Sequence, residues 1–73
     1  MERTCVVSRN GKIVKKVKHV EFYTFDEMFF ATGRRSICFY NENRERIDEV
    51  LAEPGDVVTQ LEIGFHAPVV SMA

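Results

Sequence analysis

The chain has 73 residues, 45% of them hydrophobic, and a net charge of −1. That length fits one domain that buries only about 60% of its unfolded surface, and the apolar content excludes a disordered chain. The near-neutral total hides a split: residues 1–35 carry eight Lys and Arg against four acids (+4), residues 36–73 two Arg against seven acids (−5). One basic and one acidic pole are expected to orient the protein on something larger.

No signal peptide is expected, because Met1-Glu2-Arg3 is charged and the apolar run after it is only Cys5-Val6-Val7. No stretch approaches the roughly 18 apolar residues of a membrane span. Both readings point to the cytosol, where Cys5 and Cys38 serve as reduced, small apolar core residues.

In chain order, Thr4–Ser8 is β-branched and apolar and reads as a strand. Asn10-Gly11 follows, the dipeptide of a two-residue type I′ turn in which both positions need positive φ. The return strand runs from Lys12 to about Phe22, and a bulge near Lys18-His19 would bring Ile13, Val17, Val20 and Phe22 onto one face. Thr24-Phe25-Asp26-Glu27 fits a helix capping box, with Tyr23 and Met28 at the positions of a hydrophobic staple. A helix is therefore predicted over 25–32, with Phe25, Met28, Phe29 and Thr32 buried and Gly33 ending it. Phe30 falls off that face, under a sheet edge or toward a partner.

Ser36–Tyr40 reads as a strand and Asn41-Glu42-Asn43 as a turn. Residues 44–51 fit either a helix or the second arm of a hairpin; the hairpin is slightly favoured, with Ile47 facing the preceding strand. Glu53-Pro54-Gly55-Asp56 is a turn. From Val57 to Phe65 the apolar residues alternate, which predicts one strand burying Val57, Thr59, Leu61, Ile63 and Phe65 and ending at Pro68. The expected class is α+β: an antiparallel sheet of four to five strands with one short helix packed on it.

No catalytic constellation emerges, and an enzyme is not expected. Cys5, His19, Cys38 and His66 lack the close paired spacing of structural zinc sites, so no metal or cofactor is expected. Gly33, Gly55 and Gly64 are isolated and make no phosphate-cradling loop. The best candidate site is the basic run Arg9, Lys12, Lys15, Lys16 and Lys18, five cations in ten residues with no acid among them. On a hairpin it suits phosphates or an acidic protein surface, and it equally suits an edge strand that uses lysine against aggregation. Glu42, Glu45, Asp48 and Glu49 form the acidic counterpart. Of the aromatics available for stacking, Phe22 and Phe39 are expected in the core and Tyr23 and Tyr40 at the surface.

The opening Met1–Lys18, MERTCVVSRNGKIVKKVK, together with the chain length, resembles a small bacteriophage-encoded transcription regulator. The resemblance is to the whole short chain and not to a diagnostic motif. It implies a non-enzymatic protein that binds host RNA polymerase in the bacterial cytoplasm, inhibits initiation and promotes antitermination. The polymerase large subunits, elongation factors and nascent RNA are its implied neighbours. A small nucleic-acid-binding module and a homo-oligomeric regulatory protein paired through strand edges are the alternatives.

Overall fold

A computed structural model describes residues 1–29 and 34–69. Its strands are β1 (Arg3–Arg9), β2 (Lys12–Val20), β3 (Phe22–Phe29), β4 (Arg34–Tyr40), β5 (Arg46–Ala52), β6 (Val57–Gln60) and β7 (Phe65–Pro68). They form two antiparallel sheets, ordered β2-β1-β6-β7 and β3-β4-β5. The described residues contain no helix, so the expected α+β class is corrected to all-β.

The segment expected to be helical explains the correction. Phe22 to Asp26 pair one by one with Tyr40 to Ser36, so Thr24 lies opposite Cys38 in a ladder and caps nothing. Exposure alternates with period two: Tyr23 and Phe25 pack against the core, while Phe22, Thr24 and Asp26 face solvent. Phe22, Tyr23 and Phe25 suit a pleated, half-buried surface. A capping residue contributes only about 1 kcal/mol, too little against a continuous ladder and a packed face. Phe30, Thr32 and Gly33 lie outside the described residues.

The first hairpin forms as its sequence dictates. Arg9 pairs with Lys12 across Asn10 and Gly11, whose φ angles are 53° and 80°. Further along, Arg3 pairs with Val20 but Cys5 with Val17, which leaves Lys18 and His19 bulged, with His19 at φ 66°. The bulge buries both Val17 and Val20. Ile13 does not join them, because a second register shift, between Val7 and Ser8, turns it to solvent. After Val20 only Glu21 separates the two sheets, and its amide donates to the Tyr40 carbonyl at 2.8 Å. One continuous stretch of chain thus leaves the first sheet and opens the second.

Residues 46–52 form the hairpin arm, paired with β4. Ile47 is its extra residue: Phe39 pairs with Asp48 and Tyr40 with Arg46, so Ile47 is skipped and lies exposed instead of facing β4. At the Pro54-Gly55 turn, Gly55 takes φ 91° and the Asp56 amide donates to the Glu53 carbonyl at 3.1 Å.

The single long strand expected from Val57 to Phe65 is instead a hairpin, β6 and β7, closed by residues 61–64. The Ile63 and Gly64 amides both donate to the Gln60 carbonyl, and Gly64 takes φ 66°. The buried parity is also reversed: Val58 is fully buried, whereas Leu61, Ile63 and Phe65 are exposed. Ladder pairing with β1 settles that parity, since Val58 lies opposite core residue Val7. Pro68 is tolerated because β7 is an edge strand.

Both sheets contribute to one core: Cys5, Val7, Val17, Val20 and Val58 from the first, Ile37, Phe39 and Ala52 from the second, with Val69 beside them. The Cα radius of gyration, 11.7 Å, matches the roughly 11 Å of a compact chain this long.

Candidate partner-binding surfaces

The basic pole of the sequence maps onto the four-stranded sheet. β1, β2, β6 and β7 carry Arg3, Arg9, Lys12, Lys15, Lys16 and Lys18 and no acid at all. The five cations of the basic run nevertheless do not act alike. Arg9 makes two 2.9 Å hydrogen bonds to the Asp56 carboxylate and approaches Glu53 at 3.3 Å. It is committed to the fold. Lys15 reaches across to Asp48 of β5 at 3.2 Å. Lys12, Lys16 and Lys18 are exposed and make no ion pair with the described residues.

The acidic residues divide in the same way. Asp48 is taken by Lys15, so the two poles touch instead of forming separate surfaces. Glu49 accepts the Ser36 hydroxyl at 2.6 Å and the Cys38 thiol at 3.5 Å on the outer face of the second sheet. Those two hydrogen bonds hold its carboxyl below the ordinary carboxylate value. Glu45 accepts the Asn41 side-chain amide at 3.0 Å, and Asn41 Oδ1 in turn accepts the Asn43 and Glu45 amides, which fixes the β4–β5 turn. Glu42 is exposed, 3.8 Å from the Met1 ammonium.

Two aromatics exchange their expected places. Phe22 stacks on Tyr40 with centroids 4.7 Å apart and planes 10° apart, on the outer face. Tyr23 turns inward, 6.0 Å from the buried Phe39. The strand reading explains the exchange, because β3 alternates its side chains and Tyr23 shares a parity with Phe25.

Cys5 is buried in the core, and that burial, with Glu62 nearby and only partly offset by Arg3, pushes its thiol up to about 11. Cys38 lies in the other sheet, His19 is exposed, and His66 Nδ1 is 2.9 Å from the Thr59 hydroxyl. Among the described residues no three His, Cys, Asp or Glu side chains group to hold a metal ion. Among the described residues no helix is long and apolar enough to cross a membrane.

Sequence reasoning missed the exposed apolar end of the β6–β7 hairpin. Leu61, Ile63 and Phe65 are 49%, 55% and 53% exposed. Gly64 was the available signal, since a lone glycine within an alternating run marks a break in it. Comparison of the chain with known families, with curated proteins and with solved structures returns no match.

Proposed function

We propose that this chain is a non-enzymatic docking protein that binds host RNA polymerase in the bacterial cytoplasm, inhibiting initiation and promoting antitermination. The transcriptional target comes from the resemblance of Met1–Lys18. The observation that supports docking is the exposure of Leu61, Ile63 and Phe65 within five residues of one small domain. Each would contribute about 1 kcal/mol on burial of its remaining surface, enough together to anchor a protein interface. Glu42 and Glu45 on the β4–β5 turn are open to a basic surface of the same partner.

The test is capture of purified bacterial RNA polymerase on tagged protein, followed by promoter-dependent transcription with and without it. The large subunits are retained and initiation falls. L61S/I63S/F65S loses capture while its melting curve is kept. Failure to retain the large subunits ends this reading.

A further inference from the structure

We infer that the outer face of the four-stranded sheet binds the phosphate backbone of duplex nucleic acid through Lys16 and Lys18. This goes beyond polymerase docking and does not depend on it.

Cys5, Val7 and Val17 point into the core, so their neighbours Val6, Lys16 and Lys18 stand on the opposite face. The row through Lys16 runs across all four strands: Lys16 to Val6, Val6 to Thr59, Thr59 to His66. Such a row spans about 14 Å, and Lys16 and Lys18 stand roughly 6.6 Å apart along their strand. Lys12 is not on this face: the register shift at Val14 that turns Ile13 outward leaves Lys12, opposite Arg9, on the other side of the strand. No strand of this sheet contributes an acid. Acids border the face at its ends, and there they are already bonded: Glu62 accepts the Thr4 amide, Glu2 accepts the Glu42 amide and lies 3.6 Å from His19, and Glu53 and Asp56 hold Arg9.

Edge protection by lysine accounts for charge on β2 but not for an acid-free surface reaching β7. Hydroxyl and imidazole groups beside the lysines suit phosphate contacts, which position a protein without reading sequence. The strands supply no outward aromatic other than His66, so the face offers no platform for stacked single-stranded bases. A regular, negatively charged duplex backbone is the occupant that fits.

The test is fluorescence anisotropy of the full chain with a labelled mixed-sequence DNA duplex, titrated at several salt concentrations. Two lysine–phosphate contacts predict an affinity that falls about 12-fold between roughly 50 and 200 mM salt. K16Q/K18Q leaves neither contact, so its salt-dependent duplex binding is lost. The melting curve of that variant stays unchanged, since both lysines are exposed. Absence of salt-dependent duplex binding overturns the inference. So does tighter binding of the single strand, or of polyglutamate as a stand-in for an acidic protein. Polymerase capture by K16Q/K18Q is scored separately, so either proposal can fail alone.

Discussion

Arg9 grips Asp56 with two parallel hydrogen bonds of 2.9 Å, and the carboxylate it grips is completely buried. The same carboxylate accepts the Glu53 amide at 3.0 Å, and the Asp56 carbonyl accepts the Val69 amide at 2.7 Å. One residue thus ties the end of β1, the β5–β6 turn and the segment after β7.

Asp56→Asn should therefore destabilise the domain by about 2–3 kcal/mol, at the low end for a buried pair because Arg9 is partly in water. Urea denaturation followed by circular dichroism measures it. A loss below about 0.5 kcal/mol would show that the clasp is dispensable.

The clasp also predicts acid sensitivity. Hydrogen bonds from Arg9 outweigh the opposing effect of burial and, with the Glu53 amide, hold the Asp56 carboxyl below its ordinary value. An unfolded Asp titrates near about 3.9, so as pH falls the unfolded chain takes up this proton first. The stabilisation is complete above about pH 5 and is lost as pH falls through 3.9 toward the folded value. Stability curves of the protein and of Asp56→Asn should converge in that acid range. Parallel curves down to the lowest pH would contradict the assignment.

Phe39 is fully buried between the two sheets and Phe22 is not. Phe39→Ala should cost about 3–5 kcal/mol and lower the melting midpoint by about 15 °C or more. Phe22→Ala loses the Tyr40 stack and costs about 1 kcal/mol. Equal costs would mean that β3 faces the other way.

Gly11→Ala tests the turn without packing effects. A methyl group there would meet nothing within 4 Å, yet φ is +80°. The expected loss is about 1 kcal/mol, all of it backbone strain. A stabilised variant would contradict a left-handed residue at this position.

Cys5 should resist alkylation. With its thiol at about 11, only about one molecule in a thousand is thiolate at pH 8, and burial blocks access. Mass spectrometry after brief iodoacetamide treatment should find Cys5 unmodified in the native protein and modified in urea. Rapid native labelling would place Cys5 outside the core.

Lys15 and Asp48 bear on how partner binding is probed. Their ion pair is surface-placed and contributes at most about 1 kcal/mol. Lys15→Glu sets an acid against Asp48, so a double Lys15→Glu, Lys16→Glu change mixes repulsion within the fold with loss of binding. Lys16→Glu alone is the cleaner probe.

Local chemistry was sufficient wherever a turn or a bulge needed a particular backbone. Asn10-Gly11, Pro54-Gly55 and the Lys18-His19 bulge are legible because few residues accept positive φ and the strand alternation breaks visibly between Val17 and Val20. The core role of Cys5 follows equally from its apolar neighbours in sequence, whereas Cys38, expected in the core as well, is buried on the outer face of the second sheet against Glu49. Thr24–Glu27 and Val57–Phe65 misled for a shared reason. A capping box and an alternating run are both short-range patterns, and each stabilises its element by only about 1 kcal/mol or less.

Which of two locally acceptable states forms was settled by partners distant in sequence. Tyr40 to Ser36 drew Phe22 to Asp26 into a ladder, and β1 selected Val58 over Val57 for the core. The basic pole was visible in composition, because charge needs no fold to be counted. That Arg9 serves the core, Lys15 serves Asp48, and Lys12, Lys16 and Lys18 stay free of ion pairs among the described residues was decided by the folded chain. Only there does a long cation lie within 4 Å of one acid and beyond reach of the others.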